Sequence, residues 1–163
     1  MTHEPLALHR IALALTLGLA MILRILPLQE GWAPFNPDWV ALVLLFWIFP
    51  VPERIGILWA WGVGLMVDAL TGRLLGQHAL AYGVMAYLAL LMRARLTLLP
   101  LPIQSLWVLG LLSAESLLVL WTQRQELPAA MQFQYWYPVL TGALIWPFFL
   151  FILSGLTGVR HRP

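Results

Sequence analysis

Cysteine is absent from the 163 residues, which excludes disulfides, cysteine-ligated metals and thiol catalysis without fixing a compartment. Charge is scarce as well. Only 10% of the chain is charged and 61% is hydrophobic, against about 25% charged in a typical soluble domain. That is too little polar surface for a water-soluble globule, so the chain reads as an integral membrane protein. Little sequence lies outside the apolar runs, which leaves no room for a separate soluble catalytic or nucleic-acid-binding domain. The formal charge of +2 comes from arginines scattered singly near the ends of those runs, and no basic run suggests nucleic acid.

Catalytic constellations are missing too. The G-x-G-D pattern of intramembrane aspartyl proteolysis is broken, because Gly62-Val63-Gly64 is followed by Leu65. Ser105, Ser113, Ser116 and Ser154 have no G-x-S-G context and read as hydroxyls bonded to their own helix backbone. His3, His9, His78 and His161 lack ligand spacing, so no metal, cofactor or catalytic residue is expected. The nine tryptophans read as interfacial anchors and bundle filler.

What is present is a succession of six apolar runs, at about residues 6–28, 37–50, 55–71, 78–92, 103–121 and 135–156. They predict an all-α, polytopic bundle of six transmembrane helices forming one domain. Arg10 precedes the first run as in a signal peptide, but the run ends in Leu26-Pro27-Leu28-Gln29-Glu30 without a small-x-small cleavage site, so a retained anchor is expected. Asn36-Pro37-Asp38-Trp39 looks like a helix start: Asn36 caps, Pro37 takes the first helical position, and Asp38 favours the positive helix end. The second helix, ending at Pro50-Val51-Pro52, would span only about 21 Å of a roughly 30 Å hydrocarbon core. Either the bilayer thins around it, the bundle shields it, or it is re-entrant. The last run contains Pro147, where a kink is expected.

Orientation follows from the arginines. With the N-terminus inside, the inner ends hold Arg10, Arg54, Arg93, Arg95, Arg160 and Arg162, and the outer loops hold Arg73 and Arg124. The positive-inside rule favours six spans with both termini cytoplasmic over a five-span alternative.

Within residues 56–76, every fourth residue is small or acidic: Gly56, Ala60, Gly64, Asp68, Gly72 and Gly76. Residues four apart share a helix face. The ladder therefore predicts the inner helix of the bundle, with a bare side along which a neighbouring backbone packs closely. A carboxylate at Asp68 costs roughly 2.5 to 3.5 kcal/mol in lipid, so it should face protein, a polar partner or trapped water. Arg24, Asp68 and Glu115 fall at similar depth, predicting a polar cluster in the outer half of the bundle with Arg24 facing one or both acids. The alternative has Arg24 reaching the outer headgroups and only Asp68 buried. Such a cluster could be a structural lock, a small-molecule site or a proton site.

The run Gly64-x-x-x-Asp68-x-x-x-Gly72-x-x-Leu75-Gly76, followed by Ala86-Tyr87-Leu88, resembles the MreD family. This is the small multi-pass subunit of the bacterial rod-shape machinery. Pro37-Asp38-Trp39 resembles that family's Pro-x-Trp opening of the second helix, and Trp146-Pro147 its Trp-Pro in the last. The resemblance covers nearly the whole chain. It implies a non-enzymatic inner-membrane scaffold that binds MreC and helps control peptidoglycan synthesis and cell shape. The other implied partners are MreB, RodZ, RodA and the class B transpeptidase of the elongation complex, besides membrane lipids. It also implies a bundle like the substrate-binding subunits of energy-coupling-factor transporters, which keeps a small-molecule-binding transporter subunit as the rival class. A transport subunit needs a polar pocket opening outward, whereas a scaffold needs an exposed helix groove. Whether Asp68 and Glu115 line a cavity or are packed dry separates the two.

Overall fold

A computed structural model of the chain describes residues 4–29, 31–49, 55–96, 98–123 and 133–158. They form six α-helices: α1 Glu4–Ile25, α2 Trp39–Ile48, α3 Ile57–Thr71, α4 Gln77–Leu96, α5 Leu101–Gln123 and α6 Tyr137–Thr157. Short 3-10 turns at Ala33–Phe35 and Gln134–Trp136 lead into α2 and α6, and no strand occurs among the described residues. The break at Pro50-Val51-Pro52, Glu53-Arg54, Arg124 and Arg160-His161-Arg162 lie outside the described residues. The helices α4 and α5 and the segment Gln134–Thr157 are long and apolar enough to cross a membrane. With 22 residues, α1 measures about 33 Å.

The centre of the bundle is α2. Every residue from Val40 to Phe49 is buried, and the helix packs on α1, α4 and α6. A helix that is apolar all round and too short to span is accommodated by being enclosed in protein. This corrects the expectation that residues 56–76 form the inner helix. In α3, Leu58, Trp59, Trp61, Met66 and Leu70 are exposed, so one face of that helix is turned to lipid. The start of α2 also differs from expectation. Its cap is Asp38, whose side chain accepts from the Ala41 amide at 3.0 Å, while Asn36 accepts from the Trp39 indole N–H at 2.7 Å. At the opposite end, α4 continues through Arg93 and Arg95 to Leu96, and the Arg93 Nε donates to the Phe49 carbonyl at 2.7 Å.

The small-residue ladder divides into two parts. Ala60 and Gly64 face α4 and are buried. A Cβ on Gly64 would fall 2.5 Å from the Ala79 nitrogen and 2.6 Å from the His78 carbonyl carbon, so the two backbones meet there. Gly56, Gly72 and Gly76 are not packing positions: a Cβ on any of them would meet nothing within 4 Å. Gly56 precedes α3. Gly72 ends it in the left-handed conformation (φ 64°), its N–H bonded to the Asp68 carbonyl, and Gly76 has φ 106° in the turn into α4. The ladder was drawn on one continuous helix, but the helix stops at Thr71 because these two glycines allow the turn.

The motif tryptophans join α2 to α6. Trp146 is fully buried, its ring 5.9 Å from Phe49 and 6.3 Å from Phe149, and Trp39 lies 6.3 Å from Phe149. Gly142 lets α6 approach closely, since a Cβ there would come within 2.8 Å of Leu112 and 3.6 Å of Pro37. Pro147 lies inside α6, which continues to Thr157.

Candidate functional site: a buried polar network at one end of the bundle

The ends of α1 and α3, the C-terminal half of α5 and the starts of α2, α4 and α6 meet at one end of the bundle, and the polar residues gather there. Asp68, on the last turn of α3, is completely buried. The Gly72–Gly76 turn folds back so that the first amides of α4 point at its carboxylate. It accepts from the Gly76 N–H at 2.8 Å, the His78 N–H at 3.0 Å and the Ala79 N–H at 3.4 Å. The side chain thus serves as the N-terminal cap of the next helix, satisfying donors that an α-helix leaves open. A fourth donor is the His78 ring, with Nδ1 2.6 Å from the Asp68 Oδ1.

His78 carries the network from Asp68 to Arg24. The Arg24 Nη2 lies 2.6 Å from the His78 Nε2. A guanidinium can only donate, so Nε2 accepts and the ring proton resides on Nδ1, where it donates to Asp68. Arg24 also donates to the Asp38 carboxylate, forming an ion pair between α1 and the cap of α2. Tyr82, one turn along α4 from His78, is fully buried and donates its hydroxyl to the Asp38 Oδ2 at 2.7 Å. Four helices are therefore tied at this end through Arg24, Asp38, Asp68, His78 and Tyr82.

The three residues expected to cluster sit here in different roles. Arg24 is bonded to Asp38 and His78 and reaches Asp68 only through the imidazole. Glu115, on α5, is buried and accepts from the Ser116 hydroxyl at 3.1 Å. The sequence marks Asp38 only as part of a helix start and His78 only as a histidine without ligand spacing, and Tyr82 carries no signal of its own. Asp38 lies at the same depth as Arg24 in the expected topology, and that was the available signal. The other serines behave as expected: Ser105, Ser113 and Ser154 bond the carbonyl four residues earlier.

A cavity of about 440 Å³ lies at this end of the bundle. Buried Glu115 and His78 and half-buried Arg24 and Asp38 form its inner wall, and exposed Ala33, Arg73 and Gln134 its mouth. Glu115 therefore lines a cavity, whereas Asp68 is packed against backbone amides. Asp38, His78 and Glu115 bring potential ligand atoms within 4.8 Å of one another, a grouping that linear spacing conceals. The arrangement does not suit a metal ion. The lone pair of the His78 Nε2 accepts from Arg24, and Asp38 is paired with the same guanidinium, so a fixed cation already fills the position between them.

A second, larger hollow of about 710 Å³ runs along α1 and α3. Its lining is mainly apolar, including Leu13, Leu17, Met21, Trp47 and Val63, with His9 and Arg10 at one end.

Comparison with known proteins agrees with this architecture. The family model for "rod shape-determining protein MreD" matches residues 7–155. The rod shape-determining protein MreD of Haemophilus influenzae is 29% identical over 138 residues, covering 83% of each chain. No solved structure matches. With a family match over nearly its whole length and helices long and apolar enough for a multi-pass membrane protein, the chain belongs to the MreD family of rod shape-determining proteins.

Proposed function

We infer that this protein is a non-enzymatic scaffold subunit of the bacterial elongation complex, binding MreC and helping to control peptidoglycan synthesis and cell shape. In this reading it resides in the inner membrane with six spans and cytoplasmic termini, and works with MreB, RodZ, RodA and the class B transpeptidase. The observation that carries the reading is the family match over residues 7–155. Two features support it. The buried polar groups of four helices bond chiefly to one another, which suits a rigid platform more than a reaction centre. The hollow along α1 and α3 offers a largely apolar groove. Retention of MreC on the tagged chain after detergent extraction, together with loss of rod shape on depletion, tests the proposal. A chain that keeps its fold but retains no MreC overturns it.

The second reading, a small-molecule-binding subunit resembling those of energy-coupling-factor transporters, draws support from the polar cavity walled by Glu115. Packing of Asp68 against backbone amides favours the scaffold.

A further inference from the structure

The polar end of the bundle balances its charges unevenly. The Arg24 guanidinium pairs with Asp38 directly and with Asp68 through His78. Asp68 has four donors and Asp38 has three, counting the Ala41 amide, the Tyr82 hydroxyl and Arg24. Glu115 is 4% exposed and, among the described residues, receives a single hydrogen bond, from the hydroxyl of the residue beside it. A carboxylate offers about four acceptor sites. Most of those on Glu115 therefore open into the cavity it lines, with no cation of the described residues in bonding contact. At the mouth stands Arg73, exposed and in no ion pair with any described residue.

A ligand that completes this arrangement carries a cation with hydrogen-bond donors at depth and an anion a few bonds away, nearer the surface. The Arg24 guanidinium also lines that wall, but Asp38 and, through His78, Asp68 already share it, which leaves Glu115 as the acid that an added cation would meet. The ammonium must be primary, since a quaternary one has no N–H with which to meet the open acceptors. The volume suits a headgroup or small molecule. Its surroundings favour a lipid: Trp32 and Phe133 adjoin mouth residues and are 70% and 79% exposed, and Trp121 on α5 is 74% exposed. Large exposed aromatics at one end of a membrane bundle mark the headgroup level.

We propose that the cavity walled by Glu115 binds the ammonium of a phosphoethanolamine headgroup, with Arg73 at the mouth receiving its phosphate. The lipid enters with its headgroup between the α1–α2 connection and the start of α6, and its acyl chains remain in the bilayer. The proposal is independent of the scaffold reading, because MreC retention and lipid retention are separate measurements.

The test is native mass spectrometry of the purified full-length chain, exchanged in turn with short-chain phosphatidylethanolamine, phosphatidylcholine and phosphatidylglycerol at equal concentrations. Phosphatidylethanolamine adducts are expected to exceed the other two by about tenfold, the value of one charge-assisted hydrogen bond. Glu115→Gln keeps the side-chain shape while replacing the carboxyl that faces the cavity, so the fold should survive and the preference disappear. Arg73→Gln, at an exposed turn, should weaken all three lipids and leave the preference for the primary amine. Equal retention of phosphatidylethanolamine and phosphatidylcholine by the wild type overturns the proposal, as does an unchanged preference in Glu115→Gln. Free phosphoethanolamine separates the two sources of the headgroup. Displacement of lipid only at large excess supports a lipid site, and binding tighter than the lipid's overturns that assignment in favour of a soluble zwitterion.

Discussion

The His78 ring donates from Nδ1 to the Asp68 carboxylate at 2.6 Å, and the same residue's backbone N–H reaches that carboxylate at 3.0 Å. One histidine thus fixes its own orientation through the acid that caps its helix. The far ring nitrogen is left as an acceptor for Arg24, so tautomer, cap and ion pair form a single unit.

Asp68→Asn tests that unit. All four donors around Asp68 are N–H groups, and an amide offers one acceptor oxygen and presents an NH₂ to the rest. Each unmet buried donor costs roughly 1 to 3 kcal/mol. Asn is therefore expected to destabilise the protein nearly as much as Ala, although hydrogen-bond hubs ordinarily tolerate the amide. Thermal unfolding in detergent and the shape of cells carrying only the variant measure this. Wild-type stability in Asp68→Asn defeats the assignment of four donors.

Gly64 should be intolerant of any side chain. Even Gly64→Ala forces α3 from the α4 backbone at Ala79, with an expected loss of about 1 to 3 kcal/mol. Gly56→Leu should be nearly neutral, since nothing lies within 4 Å. Gly72→Ala should cost about 1 to 2 kcal/mol through its positive φ alone. Melting temperatures in one detergent rank the three, and any order other than Gly64 worst contradicts the close approach.

A double-mutant cycle identifies the partner of Arg24. Coupling between Arg24→Gln and Asp38→Asn should fall at about 1 to 3 kcal/mol, as for groups in contact. Between Arg24→Gln and Glu115→Gln it should be much smaller. Equal couplings would place Arg24 between the two acids.

Absence of cysteine makes single-cysteine labelling straightforward. Cysteine at Gln29, exposed at the cavity end, should react with an impermeant thiol reagent from the periplasmic side, and cysteine at Ala94, exposed at the other end, should not. Reversed labelling sinks the proposed orientation.

The sequence by itself determined the membrane class, the number and order of the helices, and the need of Asp68 for protein partners. In hydrocarbon every backbone polar group must be bonded within its own segment, so a run of apolar residues has little alternative to a helix. It also marked the α2 segment as too short to span unaided. Only the tertiary structure decided that α2 is enclosed while α3 shows a face to lipid, because acyl chains and protein interiors are equally apolar and hydropathy cannot tell the two surroundings apart. Only it paired Arg24 with Asp38 and set His78 between Arg24 and Asp68. Those contacts join residues 14, 54 and 10 positions apart, and they exist because the turn at Gly72–Gly76 and the packing of α1 and α2 on α3 and α4 bring four helix ends together. No local pattern in the chain records that meeting.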